Sequence, residues 1–158
     1  MPRFDGSRHA SAPTRHYDVR MSERTRITGG CLCGALRYEA TAPPRAMGFC
    51  YCPDCRKASG SGYIPFAVFP SKALRITGPI TAFGSPSFSG REAIRNSCAV
   101  CAGLVFGGPL GKTDSHTIYV GSADDPSWFE PTMALFARNL PSWVAIPPGL
   151  EQFETLPP

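Results

Sequence analysis

An all-β fold of short strands is what this sequence predicts, on three observations. It holds 17 prolines and 16 glycines in 158 residues, which leaves little room for long helices. Its apolar residues fall in short segments bounded by Gly-Pro and Ser-Pro punctuation, the pattern of strands joined by turns. Seven cysteines stand in three tight groups, spaced CxC, CxCxxC and CxxC, with glycines or a proline around each.

The elements follow in chain order. Ile27 to Thr41 reads as a strand broken by a Gly-Cys turn, because Leu36 and Tyr38 alternate with Arg37 and Glu39 until Pro43 and Pro44 end the run. Met47 to Phe49 is a short apolar segment leading into the cysteine triad, and Arg56 to Ser61 predicts one helical turn before a bend at Gly60 to Gly62. Strands are expected at Tyr63 to Phe69, Leu74 to Thr77, Ile80 to Phe83 and Phe88 to Asn96. Leu104 to Phe106, Thr117 to Gly121 and Met133 to Ala137 complete the set, with turns at Asp124 to Trp128 and Pro147 to Gly149. Tyr63, Phe66, Phe88, Trp128 and Trp143 are expected to build the core of so small a β protein rather than line a pocket.

The cysteines point to metal rather than to disulfides. Their number is odd, and three within six residues cannot each meet a different distant partner. A tetrahedral zinc ion bonded at about 2.3 Å needs its sulfurs roughly 3.7 Å apart, a separation that CxC and CxxC reach when the chain curls around the ion. Seven thiolates divide into four and three, and zinc chemistry gives the two sets different uses. Structural sites are closed by four protein ligands, whereas catalytic sites keep a position for water or substrate. Spacing alone also admits an iron–sulfur cluster. It does not settle the division either: Cys52 and Cys55 with Cys98 and Cys101 form a respectable zinc-ribbon pattern, which would leave Cys31, Cys33 and Cys50 as the trio. His116, isolated in sequence, is expected to be packed or exposed rather than a ligand.

Charge sits mostly in an N-terminal tail, expected to be loosely attached over residues 1 to 26, where six arginines face three acidic residues. That stretch accounts for +3 of the overall +4, so the expected β domain over 27 to 155 has no extended basic stripe for nucleic acid. The tail lacks the apolar core of a secretory signal, and Met21 is a second candidate start. No apolar run approaches the 18 or so residues of a membrane span. Clustered thiolates and the missing export signal predict a reducing, cytoplasmic setting. Nothing in the sequence specifies an oligomer.

Three segments carry a resemblance. Gly29-Gly30-Cys31-Leu32-Cys33-Gly34-Ala35-Leu36-Arg37-Tyr38, Cys50-Tyr51-Cys52-Pro53-Asp54-Cys55-Arg56-Lys57-Ala58-Ser59-Gly60-Ser61 and Cys98-Ala99-Val100-Cys101-Ala102-Gly103 together resemble the glutathione-dependent formaldehyde-activating enzyme family, which includes the centromere protein V domain. The resemblance spans roughly Ile27 to Phe153. It implies a compact Mss4-like β fold holding two zinc ions. By the same resemblance, Cys31, Cys33, Cys98 and Cys101 would bind a structural zinc and Cys50, Cys52 and Cys55 a catalytic one.

The activity implied is that of a carbon–sulfur lyase or synthase joining glutathione to a small aldehyde such as formaldehyde, with thiol and aldehyde as its small-molecule partners. Zinc lowers the pKa of a bound thiol, which makes a thiolate nucleophile available near neutral pH. Three thiolates on one ion weaken its Lewis acidity, and nearby cations would compensate. Arg56 and Lys57 follow the triad directly and are candidates to contact its sulfurs or a glutathione carboxylate, and Ser59 and Ser61 lie in a bend with N–H groups to offer an anion. Asp54, inside the triad loop, suits a turn better than acid–base work. The alternative is a non-catalytic, zinc-stabilised binding module of the centromere protein V type. A third class, a zinc-stapled reductase like the β-domain methionine sulfoxide reductases, needs a redox cysteine outside the zinc sites, and four plus three leaves none.

Overall fold

A computed structural model describes residues 26–87, 90 and 92–157. The tail expected over 1–26 therefore lies outside them apart from Arg26, which ion-pairs with Glu39, and so does Phe88. The described residues form eleven strands and one α-helix. A three-stranded antiparallel sheet contains β1 (Ile27–Gly30), β2 (Arg37–Ala40) and β5 (Leu74–Thr77), in the order β1-β2-β5. The second sheet has eight strands: β3 (Ala46–Cys50), β4 (Ile64–Pro70), β6 (Ile80–Pro86), β7 (Glu92–Cys98), β8 (Leu104–Gly107), β9 (Ser115–Tyr119), β10 (Met133–Leu135) and β11 (Glu151–Phe153). Their order is β11-β10-β3-β4-β9-β8-β7-β6. The all-β expectation holds, and among the described residues no helix is long and apolar enough to cross a membrane.

Side chains alternate across a strand, so the register of the large sheet sorts its residues onto two faces. Ala67 pairs with Ile118, Ile118 with Phe106, and Phe106 with Asn96. This row packs with Tyr38 and Ala40 of the small sheet and with Leu36 in the turn before β2 to form the core, where Phe69, Phe106, Ile118 and Leu36 are all fully buried. Each such side chain contributes about 1.5–3 kcal/mol by leaving water. Asn96 is the polar member, and its amide donates to the carbonyls of Phe106 and Gly108 at 3.3 and 2.9 Å. The opposite row runs from Val68 through Thr117 and Gly107 to Arg95, with Phe66 beside Tyr119 and Ile64 beside Cys50.

The small sheet is also tied to the loop that follows β9. Arg37 on β2 forms a two-pronged ion pair with Asp124, and Thr28 Oγ1 on β1 donates to the same carboxylate at 2.7 Å. Arg37, then Thr28, keeps the Asp124 carboxyl below its usual range.

Four expectations need correction. The helix α1 spans Pro53–Ser59, starting before Arg56, because Pro53 suits its first turn and the Cys52 sulfur caps its N-terminus. The late segment is not one strand to Ala137. It is β10, parallel to both β3 and β11, and it stops where Phe136 adopts φ 58°, ψ 42°. Strand β9 ends at Tyr119, where a single 3-10 turn over Val120–Ser122 takes over. Trp143 is 74% exposed and so is no core residue; it lies over Gly62, where an added Cβ would meet the indole at 3.0 Å.

Candidate metal centres and active site

The seven thiols gather into two clusters in space. Cys31, Cys33, Cys98 and Cys101 form one, Cys50, Cys52 and Cys55 the other, and within each the sulfurs lie within 4.8 Å of one another. The division is the four-plus-three one, and the ribbon alternative of Cys52 and Cys55 with Cys98 and Cys101 does not occur.

The four-thiol cluster is built from two similar turns. The first joins β1 to β2: Cys31 N–H donates to Leu36 O at 2.9 Å, Gly34 N–H donates to Cys31 O at 3.1 Å, and Gly34 takes φ +78°. The second joins β7 to β8, with Cys98 N–H on Gly103 O at 3.0 Å and Ala102 N–H on Cys98 O at 2.9 Å. Here Ala102 takes the left-handed conformation, φ 58°. One turn belongs to the small sheet and the other to the large one, so the cluster bridges the sheets.

Sulfur spacing tests the fit to a metal ion. Cys31 and Cys33 are 3.6 Å apart and Cys33 and Cys98 3.8 Å apart, close to the roughly 3.7 Å of a tetrahedral zinc–thiolate site. Backbone N–H groups of Leu36 and Val100 point at the Cys31 and Cys98 sulfurs at 3.2 and 3.3 Å. Burial opposes ionisation of Cys31, but the Leu36 N–H and the neighbouring thiols outweigh it and bring the group down to about 6. The donor set suits zinc.

The triad is assembled over only six residues, at the junction of β3 and α1. Cys50 ends β3, where it pairs with Ile64 on one side and Leu135 on the other. Tyr51 is fully buried, with its N–H on Leu135 O at 3.0 Å, and this inward ring turns the flanking cysteines toward one another. Cys52 caps α1 by accepting the Cys55 N–H at 3.3 Å. Hydrogen bonds from the thiols of Cys50 and Cys55 hold Cys52 down to about 2, whereas contact with Cys52 and Cys55, together with burial, pushes Cys50 well up. Cys52 and Cys55 are half-buried residues, and Cys50 lies deeper at the end of β3.

A cavity of about 760 Å³ opens beside the triad, lined by Cys50, Cys52 and Cys55 and by the outer face of the large sheet. Its charged and polar lining includes Asp54, Glu92, Arg95, Tyr119, Arg138 and Asn139. Arg95 brings a cation to the thiols: its guanidinium interacts with Cys55, and its Nη1 donates to Ser85 Oγ at 3.1 Å. Burial raises the Tyr119 hydroxyl to about 12, with Arg95 pulling the other way, so the phenol keeps its proton at neutral pH. Phe136 closes one wall from its left-handed backbone, a conformation costing about 1–2 kcal/mol for a residue with a Cβ.

Arg56, Lys57, Ser59 and Ser61 are not among the cavity-lining residues. Ser59 Oγ donates to the carbonyls of Arg56 and Tyr63 and accepts the Ser61 N–H at 3.2 Å, so this pair closes the turn after α1. Arg95, Tyr119 and Arg138 carried no sequence signal, since each lies far along the chain from the thiols and only strand pairing or the β10 turn brings it to them. His116 is buried in the core, with Nδ1 3.4 Å from Gly107 O and its ring edge-on to Phe106.

Fold and site together define a β-sheet protein with two thiol clusters suited to zinc, the smaller one facing a cavity. Within that class the chain belongs to the glutathione-dependent formaldehyde-activating enzyme family, whose pattern matches residues 26–139. No curated protein matches the sequence. Among solved structures, a Rhodobacter sphaeroides protein is similar at 18% identity and a TM-score of 0.46, over 61% of this chain and 87% of the other.

Proposed function

We propose that this protein joins a thiol, glutathione, to a small aldehyde such as formaldehyde, and cleaves the adduct in reverse as a carbon–sulfur lyase. The observation that carries the reading is a three-thiol cluster at the mouth of a cavity in a member of this family. Cys31, Cys33, Cys98 and Cys101 would hold a structural zinc, and Cys50, Cys52 and Cys55, with three thiolates to offer, would hold a second one open to an outside ligand. When bound, that second ion supplies acidification of the substrate thiol.

The remaining work falls to protein side chains. Arg95 sits against Cys55 and offsets the negative charge that three thiolates gather there. The substrate sulfur gives its lone pair to the carbonyl carbon, the C=O π pair moves to oxygen, and that oxygen takes up a proton. The proton lost by the thiol balances the one gained, so RSH and R′CHO give RSCH(OH)R′. Tyr119, protonated and beside the triad in the same cavity, donates a hydrogen bond to the oxygen as charge develops on it. Arg138 and Asn139 offer a cation and an amide to a glutathione carboxylate, a role the sequence had suggested for Arg56 and Lys57. A reducing, cytoplasmic setting suits thiols used as ligands.

Glutathione and formaldehyde combine without a catalyst, so the test is an exchange rate. NMR exchange spectroscopy on the zinc-loaded protein is expected to show interconversion faster than the protein-free background and a return to background in Cys52→Ser. No acceleration in the wild type would move the weight to the zinc-stabilised binding module.

A further inference from the structure

The cavity beside the triad has a chemistry that formaldehyde and glutathione leave unused. Ile64, Phe66 and Val68 alternate along β4 and point to one face of the large sheet, so they form a continuous apolar floor. Ile94, Leu135 and Phe136 extend the apolar lining around it. Of the polar groups, Asp54, Arg95 and Tyr119 stand close to the thiols, Tyr119 directly across from Phe66 in the strand pairing. The site therefore combines reactive and polar groups at the thiols with an apolar strip along β4 that starts at Ile64, beside Cys50, and runs to Val68, while Ser87, Glu92, Thr117, Arg138 and Asn139 complete the polar lining. Formaldehyde has two heavy atoms and no apolar group, while glutathione is a tripeptide bearing two carboxylates. Neither matches the floor, whereas ligand sites generally pair apolar walls with a few polar groups that orient the reacting end. The aromatic wall at Phe136 is kept in a backbone conformation unfavourable to any side chain, as occurs where geometry serves a ligand.

We infer that the aldehyde handled at the Cys50, Cys52 and Cys55 site carries an apolar group of about phenyl size, which lies on the Ile64, Phe66 and Val68 floor while its carbonyl faces the thiols. This rests on the thiol–aldehyde reading above and narrows its substrate class. The bond changes are those already described, with R′ an apolar group in place of hydrogen.

The test compares formaldehyde with phenylacetaldehyde as the partner of glutathione, using the zinc-loaded full chain and subtracting the protein-free rate for each. The expected result is a kcat/KM at least ~10-fold higher for phenylacetaldehyde, the scale by which apolar pockets discriminate. Val68→Asp is expected to erase that preference. The near-isosteric Val68→Thr should reduce it several-fold while folding as the wild type does, which covers the case in which the aspartate variant does not fold. Equal or greater efficiency with formaldehyde would overturn the inference and leave the thiol–aldehyde reading standing, as would a preference that Val68→Thr leaves intact. Acceleration with neither aldehyde would overturn both.

Discussion

The guanidinium of Arg95, on β7, reaches the thiol of Cys55, on α1, across the outer face of the large sheet. Arg95 pairs with Gly107 and Gly107 with Thr117 on that face, and a Cβ on Gly107 would come within 2.9 Å of the Tyr119 hydroxyl, so the glycine leaves room for the phenol beside the arginine. The guanidinium puts a permanent positive charge beside a cluster that becomes anionic when it holds a metal. Arg95→Met should accordingly weaken zinc binding at the triad or slow turnover by roughly 10- to 100-fold, the usual effect of losing a group that supports metal ligands. Zinc titration against a chromophoric chelator, together with the exchange assay, measures both.

The two thiol clusters should respond differently to loss of one sulfur. Cys98 is buried at the bridge between the sheets, so Cys98→Ser is expected to lower Tm by roughly 10 °C or more, since metal binding there is folding free energy. Cys52→Ser should cost one zinc per chain and leave Tm within a few degrees. Metal analysis and thermal unfolding of both variants check this, and equal destabilisation would count against the division of roles. A mild chelator should strip one ion of two before circular dichroism changes.

Tyr119→Phe removes a hydroxyl and little volume. If that hydroxyl supports the adduct oxygen, turnover should fall by roughly 100-fold, with zinc content at both clusters unchanged. Loss of zinc in this variant would instead make Tyr119 a support for the ligands.

Gly48 stands where β3 meets β10, and a Cβ there would come within 2.4 Å of the Met133 carbonyl oxygen. The clash is with backbone on the paired strand, so relief requires the strands to separate. Gly48→Ala should destabilise the protein by about 2 kcal/mol or more in urea unfolding. The same displacement would move Leu135 away from Cys50 and lower activity in the molecules that stay folded.

Burial holds the His116 imidazole below the ordinary value of 6.5. The unfolded chain therefore takes up this proton first as pH falls. The contribution of the neutral ring is complete above about pH 6.5 and is lost as pH drops through the lower folded value. Denaturation midpoints for the wild type and His116→Gln, at pH 7.5 and 5.5, should show the larger acid loss in the wild type. Acid release of zinc would affect both proteins alike.

Several of these features are legible in the sequence by itself. Punctuation by Pro and Gly and the alternation in segments such as Leu36 to Glu39 determined an all-β fold, because strand period and turn chemistry act over a few residues. The CxC and CxxC spacings determined that thiols would gather at separations suited to a metal ion, since they bring sulfurs together through a local curl. Local rules also account for the capped start of α1 at Cys52 and Pro53, about one turn before the Arg56 start expected from the sequence. Which four thiols share a site was decided only by tertiary structure, because it depends on the β1–β2 turn meeting the β7–β8 turn across two sheets. The same holds for the cavity. Phe66, Arg95, Tyr119 and Leu135 come from four strands and reach one face beside Cys50 through long-range register, and no neighbouring residue in the chain records that pairing.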